Sequence, residues 1–181
     1  MCISLFSCVG IEVNPDNPNE YLIKGVKHIQ QGHMQCGAAS LKMVLNYYDK
    51  EIGLNELYQK IKGRRAGVPT YSMERYTNTH YDNLDTLSFV SSNYKIWKKF
   101  IKRDIPLIAR GKSYGLDADC HYVVIVGYKK EGFIIDDPQH GLAYMNFKMF
   151  KKWHNCIHSP KWLMAIYPSE EASNIPSPYF D

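Results

Sequence analysis

The chain has 181 residues, 45% hydrophobic and 22% charged, which is enough apolar content for the core of one compact domain and excludes a disordered chain. A net charge of only +4, with basic residues dispersed as at Lys98–Lys99 and Lys151–Lys152, indicates a mixed solvated surface and no nucleic-acid partner. No apolar run reaches the ~18 residues of a membrane-crossing helix. Five cysteines without a C-x-x-C pair (Cys2, Cys8, Cys36, Cys120, Cys156) suggest neither a disulfide framework nor a structural zinc site.

In chain order, Met1–Cys8 reads first as an ordinary N-terminal segment, consistent with a cytoplasmic protein. Leu5-Phe6-Ser7-Cys8 before the polar Asn14–Glu20 linker also resembles a lipoprotein processing box. On that reading Met1–Ser7 is the remnant of a signal peptide, and the protein belongs to the cell envelope or is secreted. Residues 1–20 are therefore a segment or linker, 21–168 the domain, and 169–181 a polar tail.

The first strong helical period begins at Cys36, with Leu41, Val44, Leu45 and Tyr48 on one stripe. A second helix carries Leu54, Leu57, Tyr58 and Ile61 and stops near Gly63. A solvated loop with Arg64 and Arg65 leads to a helix over Ser72–Tyr81, a strand over Leu84–Val90 and a helix over Tyr94–Arg103. Beyond Asp104 the pattern changes to short β-type runs: Pro106–Ala109, His121–Tyr128, Gly132–Asp136, Leu142–Met145 and Trp162–Tyr167, with a helical Lys148–Trp153 inserted. Helices followed by strands predict an α+β fold with N-terminal helices packed on a mostly antiparallel sheet.

Cys36 stands where the long helix begins, and unpaired N–H groups at a helix start favour a thiolate. Gly37 after it permits close backbone approach, although a small buried hydrophobe would fit the same place. His121 opens the apolar run His121–Tyr128, at the mouth of a strand, where a base would face a helix terminus. The turn Lys129–Glu131 joins this run to Gly132–Asp137, so antiparallel pairing puts His121 and Asp137 at the same end of a hairpin. Asp137 can then orient the imidazole. Gln30, six positions ahead of Cys36, is the candidate oxyanion donor, with Gln31 and Gln35 as competitors and His33 as a rival base. His28, His33, His80, His140, His154 and His158 show no metal-ligand spacing, so no metal is expected.

Gln30, five residues, then Cys36-Gly37-Ala38-Ala39-Ser40-Leu41, followed by His121–Tyr128 and Asp137-Pro138, resembles the bacteriocin-processing (double-glycine leader) cysteine peptidases, a papain-like family. The resemblance runs from Val26 to Tyr167. It implies a papain-like fold, with Cys36 as nucleophile, His121 as general base and acid, Asp137 orienting His121, and Gln30 with the Cys36 N–H as oxyanion hole. It further implies peptide hydrolysis through a thioester, on a peptide or protein substrate, with no cofactor. Gln35 stands where leader peptidases are expected to carry an acidic residue or a large polar one, Cys120 before His121 is unexpected, and no transporter region follows; these point to the stand-alone branch. Cys120 is expected to pack inward by strand alternation, or to bridge Cys36. The same triad also suits a side-chain amide hydrolase or acyl transferase of deamidase or transglutaminase type, or a peptide-binding domain without catalysis.

Overall fold

The computed structural model describes residues 11–64, 67–113, 120–155 and 161–179. The Leu5–Cys8 box, Arg65, Cys156 and His158 lie outside the described residues. In chain order the elements are β1 (Tyr21–Leu22), α1 (Cys36–Tyr47), α2 (Leu54–Ile61), α3 (Thr70–His80), β2 (Leu84–Val90), α4 (Tyr94–Ile101) and β3 (Leu107–Gly111). They continue with β4 (His121–Lys129), β5 (Gly132–Asp137), β6 (Gly141–Asn146), α5 (Phe147–Trp153) and β7 (Trp162–Pro168). Every strand pairing is antiparallel, in the order β2-β7-β3-β4-β5-β6, with β1 also paired to β4. No helix among the described residues is long and apolar enough to cross a membrane.

Both faces of the sheet are covered, which explains why β4 reads as an almost unbroken apolar run. Its alternate residues Val123 and Ile125 enter one core with Trp97, Phe100 and Ile101 of α4 and Phe150 of α5. Tyr122, Val124 and Val126 enter the other, with Leu41, Val44 and Leu45 of α1, Leu57 and Ile61 of α2, and Met73 of α3. Helix α1 lies so deep that eight of its residues are buried, so its apolar stripe is broad.

The sequence expectations match α1 to α5 and β2 to β7 to within a few residues at the ends, while the short β1 was not expected. Helix α3 starts earlier than the expected Ser72, because Pro69 sets the backbone that leads into its first turn. Strand β5 runs through Asp137, one residue past the expected end, which brings that carboxylate into the ladder. Residues 169–179, read as a polar tail, include a 3-10 helix over Ser169–Asn174. It is tied down by Ser169 N–H donating to the Asn83 carbonyl and by the Arg103 guanidinium donating to the Asn174 carbonyl.

Although the five cysteines suggested no disulfide framework, Cys120 is disulfide-bonded. Cys36 is free, so no Cys36–Cys120 bridge exists.

Two glycines set close approaches near the start of β4. A Cβ on Gly37 would lie 2.7 Å from Val68 Cβ and 3.2 Å from Tyr122 Cδ2, so only glycine lets the start of α1 press against β4. The Tyr122 hydroxyl donates to the Val68 carbonyl at 2.8 Å and holds that loop in place. Gly111 pairs with His121 across β3–β4, and its missing side chain leaves room for the Trp153 indole. Gly37→Ala is expected to lower stability by roughly 1–3 kcal/mol through overpacking, measured by urea denaturation.

Candidate active site

The backbone between β1 and α1 is bound to the turn that follows β5. Gln31 N–H donates to the Pro138 carbonyl at 2.9 Å, and Gln30 Nε2 donates to the Gln139 carbonyl at 3.5 Å. The chain then turns at Gly32–Gln35, with Met34 in the left-handed region at φ 58°, and α1 begins at Cys36. Gln35 stands at the N-cap position but makes no side-chain cap, unlike Asn93 and Asn146, whose side chains cap α4 and α5. Its amide is spent elsewhere, accepting from Gly32 N–H at 3.1 Å and donating to Asn55 Oδ1 at 2.9 Å. The first turn of α1 therefore keeps its N–H groups uncapped by side chains beside Cys36.

His121, the first residue of β4, and Asp137, the last of β5, meet as the hairpin register requires. Val124 pairs with Asp136, so His121 and Asp137 are diagonal neighbours at the open end of the ladder. His121 Nε2 lies 2.8 Å from Asp137 Oδ1, with Asp137 wholly buried. That contact leaves Nδ1 for the side of Cys36, whose thiol and the imidazole each stabilise the other's charged form. Asp137 also accepts from Gln139 N–H at 2.8 Å, and its Oδ2 is 3.2 Å from His140 Nδ1.

These contacts set the charges. Burial alone would raise the Asp137 carboxyl, but the hydrogen bond and charge of His121, with Gln139 and His140, hold it below its ordinary value. Burial would lower His121, yet the Asp137 and Cys36 contacts outweigh it and raise the imidazole to about 9. Burial would raise the Cys36 thiol, but the His121 hydrogen bond and charge, helped by backbone hydrogen bonds from Tyr122 and Gly37, bring it below 9.0. The arrangement favours a thiolate beside an imidazolium, a nucleophile and a proton donor in contact.

Of the four residues singled out from sequence, Cys36, His121 and Asp137 come together, with His121 bonded to Asp137 and interacting with Cys36. Gln30 sits against the turn that follows Asp137, between His28 and the Gln139 carbonyl. Gln35 is committed to its own loop and to α2, as described above. Gln31 has its Oε1 buried with no hydrogen-bond partner among the described residues. His33 is exposed on the Gly32–Gln35 turn. His154 is structural: burial lowers it to about 4, and it contacts the Trp162 carbonyl.

Sequence reasoning set His28 and His140 aside for want of metal-ligand spacing, and the structure gives each an aspartate partner. Asp136, expected only as the end of a strand, is 2.6 Å from His28 Nδ1. His28 and Asp136 are 108 residues apart, so no local pattern could have joined them. No group of three or more metal-ligating side chains occurs among the described residues.

The sequence profile of the Peptidase C39 family matches residues 26–159. Among curated proteins, the lactococcin-G-processing and transport ATP-binding protein LagD of Lactococcus lactis subsp. lactis is 25% identical over 153 residues. The match takes in 83% of this chain but 21% of that protein, so the chain spans about a fifth of that relative's length. A double-glycine-motif protease from an AMS/PCAT transporter, solved with a leader peptide, superposes with TM-score 0.65 at 24% identity, over 82% of this chain and 95% of that one. A C39-like peptidase from Bacillus anthracis gives 0.67 at 16% identity, over 82% of this chain and 97% of that one. The peptidase domain of Streptococcus ComA gives 0.65 at 18% identity, over 80% of this chain and all of that one. At these identities the solved structures show the shared fold.

The charge balance has a measurable consequence. The Cys36 thiol should react with iodoacetamide with a midpoint below pH 9.0. In His121→Ala the burial remains while the largest lowering influence is gone, so the midpoint should move to higher pH. Each unit of that movement lowers the alkylation rate near neutral pH roughly tenfold. Mass spectrometry of the modified cysteine reads it, and an unmoved midpoint would show that His121 does not govern the thiol.

Proposed function

The chain belongs to the Peptidase C39 family and is a cysteine peptidase, and we propose that it cuts peptide bonds with Cys36 as nucleophile, His121 as general acid and base, Asp137 as the orienting carboxylate and Gln30 as an oxyanion donor. The observation that carries this reading is that the His121 imidazole, 2.8 Å from the buried Asp137 carboxylate, also interacts with the Cys36 thiol.

On this reading the Cys36 thiolate attacks the scissile carbonyl carbon, forming a C–S bond and pushing the carbonyl electrons onto oxygen. The oxyanion is held by the Cys36 N–H at the start of α1 and by the Gln30 side-chain N–H, each such donor contributing about 3 kcal/mol. The His121 imidazolium gives its proton to the leaving amine, the C–N bond breaks, and a thioester remains. His121, now neutral, takes a proton from water as the water attacks the thioester. Collapse of the second intermediate releases the acid and restores the thiolate–imidazolium pair. Asp137 stays ionised throughout and fixes which imidazole nitrogen faces sulfur.

The substrate we propose is a peptide, and the leader peptide bound by the transporter protease suggests a double-glycine leader as the first to try. Incubation with such a leader, followed by mass spectrometry, should yield two fragments whose masses sum to the substrate plus one water. Ammonia release from an intact peptide would instead indicate side-chain amide chemistry and overturn the peptidase assignment for that substrate. Cys36→Ala should abolish cleavage. Asp137→Asn, which leaves the shape but misdirects the imidazole, should lower kcat at least about a hundredfold with little change in KM.

A further inference from the structure

Two consecutive aspartates end β5, and alternation along a strand sends their side chains to opposite faces. Asp137 serves His121. Asp136, with its side chain 6% exposed, serves His28, a residue outside the triad and two positions before Gln30. His28 Nδ1 is 2.6 Å from Asp136 Oδ1, and His28 Nε2 is 3.4 Å from Gln30 Oε1. A carboxylate, an imidazole and a third side chain thus stand in line, as they do at Asp137, His121 and Cys36.

We propose that His28 and Asp136 form a positioning couple which, with the Gln139 carbonyl, fixes the Gln30 amide with its N–H side available to the oxyanion. The inference rests on the reading of Gln30 as an oxyanion donor. A glutamine amide can turn over and exchange its oxygen for its N–H₂, and the wrong orientation would set an oxygen against the oxyanion. The Gln139 carbonyl accepts only an N–H and draws Nε2 to itself at 3.5 Å. His28 Nδ1–H donates to the Asp136 carboxylate, so a donor at Nε2 exists only when the imidazole is charged. Charged, it holds Oε1 of Gln30; neutral, it turns a lone pair toward that oxygen and favours the flipped amide.

Both contacts to Gln30 are longer than the His28–Asp136 bond, which leaves the amide room to tighten on a developing charge. The charged groups acting on His28 are Asp136 in contact with it and, through charge alone from the other face of the strand, Asp137, which itself meets His140. Burial lowers His28, but the Asp136 contact more than compensates and its imidazole stays charged to higher pH than usual.

Two reagents separate this couple from the nucleophile. Iodoacetamide alkylates Cys36 by displacement and creates no oxyanion, whereas acylation by p-nitrophenyl acetate passes through one. The ratio of acylation to alkylation rate, with Cys36→Ala as the blank, therefore reads the oxyanion hole alone. Gln30→Ala should lower that ratio about a hundredfold, and His28→Ala and Asp136→Asn about tenfold each. His28→Ala added to Gln30→Ala should lower it no further. In the unaltered protein the ratio should fall as pH rises through the ionisation of His28, and His28→Ala should remove that limb. Asp136→Asn keeps the shape of the side chain, so the comparison holds even if His28→Ala does not fold. A ratio unchanged in both His28→Ala and Asp136→Asn, with Gln30→Ala impaired, overturns the positioning couple and leaves Gln30 in its role. A ratio unchanged in Gln30→Ala overturns the role of Gln30 and the couple with it.

Discussion

The Asp137 carboxylate is wholly out of solvent, yet it remains ionised because three donors converge on it: His121, His140 and the Gln139 backbone. An unpartnered carboxylate in such a place would cost several kcal/mol, so the position is tenable only with the surrounding loop folded around it. That requirement organises the site. It fixes the turn after β5, orients the imidazole at the start of β4, and leaves one ring nitrogen for the sulfur. Through Pro138 and Gln139 the same turn holds the segment leading to Cys36.

The thiol faces the opposite problem. Burial disfavours its ionised form, and the balance is tipped by the adjacent imidazole together with two backbone hydrogen bonds. Those hydrogen bonds depend on contact between the first turn of α1 and the first residues of β4. Gly37 makes the contact possible by having no side chain to meet Val68 and Tyr122. Gln35 contributes by withholding its side chain from the helix end and tying the loop to Asn55 of α2 instead. The helix start is left with open N–H groups where a negative charge forms.

The covered sheet gives this arrangement its rigidity. Aromatic side chains from α4 and α5, among them Trp97 and Phe150, pack against Phe133 on one face, while α1 is embedded in the other. The loop carrying Gln30 and the end of β5 carrying Asp137 are thereby held by strands that are buried on both sides. Cys120 is engaged in a disulfide immediately before His121, while the Cys36 thiol stays free.

Local patterns in the sequence determined much of this. The 3.6-residue period after Cys36 set α1 and placed a cysteine at its start, because a helix declares itself through its own buried stripe. The apolar run from His121, the short turn at Lys129–Glu131 and the run to Asp137 set a hairpin, and antiparallel geometry alone put His121 and Asp137 at one end. The short β1 strand and the 3-10 helix over Ser169–Asn174 left no such trace, since each is held by contacts distant in the chain. The partners of Gln30 are of the same kind. Which glutamine is free, which histidine meets which aspartate, and that Asp136 and Asp137 serve different imidazoles were decided only by tertiary structure. Those pairings join residues as much as 109 positions apart, where periodicity and turn chemistry carry no information.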